Sequence, residues 1–201
     1  MKAIISDVPP TMLAWRRQTG ADQWDEMWEG VLHMNPPPNR AHQELEYALE
    51  AWLRRHWADP NGNRVYHQIA LSPVAESGED WTKNYRTPDL VLLKPEAFHI
   101  DRNEYFAGPP TVVVEIHSPG DEALEKLPFY AELGVPEVWI IHRDSREPKL
   151  FVLRDDAYQQ QSPVDDGRVE SPTTDIQFSA TPAGKLAIEI ADDDASRAEL
   201  P

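Results

Sequence analysis

Between residues 41 and 57 the apolar positions Leu45, Ala48, Leu49, Trp52 and Leu53 recur at the i, i+3, i+4, i+7, i+8 spacing of one helical face. This spacing predicts an amphipathic helix, with Asn39 as its cap. Further along the rhythm changes. The runs at 90–93, 112–116 and 138–141 are apolar almost without interruption, as in central strands covered on both faces. Strands are predicted at 64–71, 89–93, 111–117, 137–142, 149–153 and 158–161, with Pro and Gly clusters between them. A helix over 122–133, closed by Gly134, joins the strands at 111–117 and 137–142. Strand, helix and strand at that spacing form a crossover unit whose two strands are parallel neighbours.

Upstream, Glu26 to Met34 alternates loosely about a Glu29-Gly30 pair and predicts a hairpin, which Pro36-Pro37-Pro38 ends. Residues 1–23 form a lead-in with a short helical piece around Met12 to Arg17. A chain of 201 residues suits one domain, placed at 24–190, with last strands near 176–178 and 186–190 and an acidic, disordered tail at 191–201. The fold class is α/β: a mixed β-sheet flanked by helices, with an N-terminal β-hairpin.

The chain has no cysteine, which excludes disulfides and thiolate metal sites. No signal peptide opens it and no apolar run reaches bilayer length, so a cytoplasmic protein without membrane contact is expected. A net charge of −16 opposes generic binding to polyanions. Part of that charge is set aside in the tail and in predicted loops at Asp155, Asp156, Asp165 and Asp166, yet the remainder is acidic.

Two carboxylates carry the candidate chemistry. Asp89 follows Thr87-Pro88 at the start of one apolar run, and Glu115 ends another, with Lys126 shortly after. Phosphodiester hydrolysis needs charge stabilised on a phosphoryl group and hydroxide generated near neutral pH, and a magnesium ion held by two carboxylates supplies both. Asp89 and Glu115 are the expected ligands, the Ile116 carbonyl a third, and Lys126 the group that orients or deprotonates water. Manganese is the alternative cation.

The ordered set Thr87-Pro88-Asp89, Val112 to Pro119, Glu125-Lys126-Leu127 to Tyr130 and Gly134 to Trp139 resembles the Uma-two family, within the PD-(D/E)XK nuclease superfamily. Glu26 to Leu32, Met34, the prolines and His42 extend the resemblance upstream, so that it covers about 24–155. It implies a restriction-endonuclease-like core and an endonuclease acting on nucleic acid, DNA in particular, with Asp89 and Glu115 on magnesium. It also implies a homodimer, since two sites cut two strands. The superfamily lysine two residues after the glutamate is replaced here by His117, and in the Uma-two family it comes from the next helix, which matches Lys126. Glu29 and His42 fall where they face the same site, and Glu44 and Glu46 are rival outer carboxylates. Pro128 sets the regular helix to start near Leu127, with Lys126 at or before its first turn.

Each residue has a plainer reading. Asp89 alone is a strand-start residue, and Lys126 alone a solvated one. Glu115 among valines demands a partner, since a buried unpaired carboxylate costs several kcal/mol or more. His117 is a core histidine or a base. A catalytically inactive binding or regulatory module on the same fold stays open. A Ser118–His117 hydrolase is weaker, because adjacent strand residues point to opposite faces. A metal oxygenase lacks a facial triad.

Overall fold

A computed structural model describes residues 2–74, 80–164 and 167–201. Asp165 and Asp166 lie outside the described residues. The chain opens with strand β1 (Ala3–Ile5) and helix α1 (Pro10–Thr19), followed by the predicted hairpin of β2 (Asp25–Trp28) and β3 (Val31–Met34). Glu29 (φ 45°) and Gly30 (φ 86°) are both left-handed, as a two-residue turn needs to match the strand twist. The lead-in is more ordered than expected. β1 adds to the free edge of β3, giving the order β1-β3-β2, and Arg16 of α1 grips Asp25 at 2.5 Å.

Helix α2 (Arg40–Leu53) starts where Asn39 accepts a hydrogen bond from the His42 N–H at 3.0 Å. Its apolar stripe is buried, and a π-helical turn over Arg54–Ala58 extends it to bury Trp57. β4 (Arg64–His67), β5 (Ala70–Ser72), β6 (Leu90–Leu93), β7 (Tyr105–Ala107), β8 (Val112–His117), helix α3 (Leu127–Leu133), β9 (Glu137–His142), β10 (Pro148–Arg154) and β11 (Ala157–Gln160) follow. The single strand predicted at 64–71 is two. The chain turns at Gln68 (φ 46°), after which β5 leaves β4 to pair in parallel with β7. α3 begins at Leu127, as Pro128 indicated, because proline fits a first turn, where no N–H is needed; the residues from 122 to 126 are not part of the regular helix.

The main sheet has the order β11-β10-β9-β8-β6-β4. β8 and β9 are parallel, as the crossover demands, and every other pair is antiparallel, so the sheet is mixed. Alternate residues explain the unbroken apolar runs. Leu90, Leu92, Val112 and Val114 pack on one side with α2, whereas Val91, Leu93 and Val113 pack on the other with Phe129 and Tyr130 of α3. Each such side chain, fully buried, contributes about 1.5–3 kcal/mol.

A second antiparallel sheet, β12 (Val169–Glu170), β13 (Ile176–Ala180), β14 (Leu186–Ile190) and β15 (Asp193–Leu200), covers α2's side of the core. The tail expected to be disordered is its last strand. Asp193, Asp194 and Glu199 face water, while Ser196 and Leu200 point inward. The Trp52 indole N–H donates to the Ser196 carbonyl at 2.7 Å.

Candidate active site

The antiparallel pairing of β6 with β8 places Leu90 opposite Val114, so Asp89, one residue before β6, arrives beside Glu115. The Ile116 N–H donates to Asp89 Oδ2 at 2.6 Å and fixes that carboxylate. α2 lies over the same sheet end. His42 Nε2 is 3.0 Å from Asp89 Oδ1, and one turn on, Glu46 Oε2 is 3.7 Å from the same nitrogen. His42, Asp89, Glu115 and Ile116 border a cleft of about 420 Å³, which Trp24 and Pro36 to Pro38 also line; Glu46 is not part of its lining.

Glu115 is 4% exposed and fully engaged. Lys126 Nζ lies 3.0 and 3.2 Å from its two oxygens, and the Tyr130 hydroxyl donates to Oε1 at 2.5 Å. Lys126 precedes the first turn of α3, and its ammonium also reaches Glu26 Oε1 of β2 at 2.8 Å. Glu26 is buried, and it accepts hydrogen bonds from the Thr87 N–H at 2.9 Å and from the Trp28 indole at 2.8 Å.

Charge follows burial and neighbours. Burial raises the Glu115 carboxyl above its ordinary value, against the pull of Lys126. Burial alone would lower the Lys126 ammonium, but Glu115, Glu26 and Asp89 outweigh it and keep the cation. Burial, with Glu115 and Glu26 adding to it, raises Tyr130 so far that it stays a phenol and a donor. His42 is raised despite its burial, because Asp89 accepts its hydrogen bond and the charge of Asp89 favours the imidazolium, with Glu46 and Glu115 adding to it where they are ionised. Burial, then the charge of Asp89, pushes Glu46 up to about 8.

The other predicted residues lie apart from this cluster. Glu29 sits in the hairpin turn and pairs with Arg86 at 3.2 Å. Glu44 is on the solvent side of α2 and pairs with Arg40 at 2.6 Å, which leaves Glu46 as the inward carboxylate of the two. His117 is not part of the cleft lining and holds Asp121, which is, at 2.6 Å, whereas Ser118 Oγ approaches His42 Nδ1 at 3.4 Å, so Ser118 and His117 make no dyad. Sequence reasoning passed over Glu26 and Tyr130. Tyr130 stands four residues after Lys126, one helical turn on, and that spacing is the one signal pointing to it.

Among the described residues, His42, Glu46 and Asp89 form a group whose donor atoms all lie within 4.8 Å of one another. Glu46 Oε1 is buried without a hydrogen bond, although His67 Nε2 is 3.3 Å away. An imidazole with two carboxylates, one of which keeps an unbonded oxygen, is a donor set that fits a divalent cation.

Residues 10–196 match a family model described as "Uma2: Putative restriction endonuclease". The chain belongs to the Uma2 family. This Uma2 chain also shares its fold with a solved protein from Anabaena variabilis ATCC 29413, described as a putative nuclease belonging to DUF820. The TM-score is 0.57 at 15% identity, over 75% of this chain and 82% of that one. Among curated proteins none matches the chain. No helix among the described residues is long and apolar enough to cross a membrane.

Proposed function

We propose that this Uma2 protein is a divalent-metal-dependent endonuclease of the cytoplasm that hydrolyses phosphodiester bonds in DNA as a homodimer, with magnesium as its cation and manganese able to replace it. The observation that carries the reading is the meeting of Asp89, Glu115 and Lys126 at one end of the sheet, inside a cleft, in a chain of this family.

Asp89, Glu115 and the Ile116 carbonyl would hold the cation, with His42 and Glu46 as neighbouring donors. When bound, it supplies Lewis-acid stabilisation of the phosphoryl oxygens and a water that ionises near neutral pH. The chain does the rest. The Lys126 ammonium, kept charged by its carboxylates, faces the charge that develops on the phosphoryl group and orients the attacking water. Tyr130 fixes the Glu115 carboxylate in one orientation, and the Ile116 N–H does the same for Asp89. Glu29, Glu44 and His117 take no part.

The rival reading is a silent module that keeps the fold and binds a partner. It draws on the clasp of Lys126 on both Glu115 oxygens and on the net charge of −16. Calorimetric titration with Mg²⁺ and Mn²⁺, followed by plasmid nicking in the same preparations, separates the two. Binding and nicking that appear together and vanish in Asp89→Ala and Glu115→Ala support the nuclease. A wild type that binds no cation and leaves plasmid intact sinks it.

A further inference from the structure

Lys126 touches three carboxylate oxygens, of which two belong to Glu115 and one to Glu26. With the Tyr130 hydroxyl also on Oε1, the ammonium leaves Glu115 one free lone pair, on Oε2, so a divalent cation that chelates both oxygens needs a lone pair that Lys126 now holds. For that cation the lysine must move. It lines the cleft but is only 7% exposed, and among the described residues the other carboxylate in contact with it is Glu26, already at 2.8 Å.

Glu26 is built as a fixed acceptor. The Thr87 N–H and the Trp28 indole orient its two oxygens, and Thr87 lies two residues before Asp89, so the hairpin carboxylate is tied to the segment that carries the metal-site aspartate. The hairpin itself is clamped. The buried Arg86 guanidinium lies 4.2 Å from the ring centres of both Trp28 and Phe129 and donates to the Met27 carbonyl of β2 at 3.1 Å.

We propose that Glu26 is a positioning residue: it receives the Lys126 ammonium when a divalent cation takes the Glu115 oxygens, so that the amine stays in the centre without blocking the carboxylate. The inference rests on the reading of Asp89 and Glu115 as a divalent-cation site, and not on cleavage of nucleic acid. Glu26 thereby acts through Lys126 and touches neither the cation nor the substrate.

The test is calorimetric titration of the full chain with Mn²⁺ alone, for the wild type, Glu26→Gln, Lys126→Met and the double variant. Without its second acceptor the lysine stays on Glu115 and competes with the cation, so Glu26→Gln weakens Mn²⁺ binding by about tenfold, within the range for groups that orient metal ligands. In the Lys126→Met background the same substitution changes affinity by less than about twofold, because no ammonium is left to receive. An equal loss in both backgrounds overturns the proposal, since Glu26 would then act as a ligand or by its charge alone. No loss in either overturns it too. Crystals of the wild type soaked in Mn²⁺ give a readout that requires no variant to fold: Nζ is expected on Glu26 and clear of Glu115, and Nζ still on Glu115 beside bound Mn²⁺ refutes the exchange. Plasmid nicking separates the two readings. A wild type that shows the expected cycle and leaves DNA intact ends the nuclease reading while Glu26 keeps its role, whereas nicking without coupling does the reverse. A wild type that binds no Mn²⁺ ends both.

Discussion

Glu46 is a buried carboxyl beside Asp89, and replacing it by glutamine should make the metal-free protein more stable at alkaline pH. Its residue is 1% exposed, one oxygen lacks a hydrogen bond, and Asp89 is close enough to oppose its charge. In the fold it titrates at about 8 against an ordinary 4.5, first through burial and then through Asp89. Between those values the unfolded chain has released this proton and the native chain still holds it. The sign follows: the contribution of Glu46 to stability is fully present below about pH 4.5 and is lost as pH rises to about 8. Each pH unit in that window costs up to about 1.4 kcal/mol, and the neighbouring imidazoles of His42 and His67, which can stabilise the carboxylate, bring the total to roughly 2 kcal/mol. Urea unfolding in EDTA at pH 5 and pH 8.5 reads the effect. Glu46→Gln should exceed the wild type by roughly 2 kcal/mol at the higher pH and match it at the lower. Glu115 adds its own slope to both proteins and cancels in the difference. Stability curves that run parallel from pH 5 to 8.5 would refute the reasoning.

Two further substitutions probe the scaffold. Arg86→Met keeps the volume between Trp28 and Phe129 but removes donors to Met27, Asn84 and Tyr85, and should cost about 2–3 kcal/mol in urea unfolding. A change below about 0.5 kcal/mol would mean that the clamp carries no load. Asn39→Ala removes the cap on the His42 N–H and should lower stability by about 1 kcal/mol, seen as a reduced thermal midpoint, whereas an unchanged midpoint would show the cap to be idle.

Much of this architecture could be read from local pattern. The helical stripe of α2 and the nearly continuous apolar runs of β8 and β9 are signals that a few neighbouring residues carry, and the crossover topology follows from their spacing alone. Asp89, Glu115 and Lys126 could likewise be singled out, because a carboxylate among buried valines needs a partner. Glu26 could not. It stands in a short hairpin where a polar residue is ordinary, and its burial is decided by Lys126, a hundred residues later in the chain. β15 was hidden for a related reason. Its Asp193, Asp194 and Glu199 read as a solvated tail, while only Ser196 and Leu200 mark the inner face, and the strand exists because β14 offers an edge. β1, three residues long, carries too little pattern of its own and is held by β3.

The bond from Trp52 to the Ser196 carbonyl also has a consequence for the order in which a nascent chain can finish folding. α2, which carries His42 and Glu46, is among the early segments to leave the ribosome, but its indole partner lies 144 residues further on, and Leu200 packs in the same cluster as Leu45 and Leu49. Until those late residues emerge, the part of α2's apolar face that they cover is left to water. The packing of the helix that borders the cleft is therefore completed only when residues 196 to 200 have joined it.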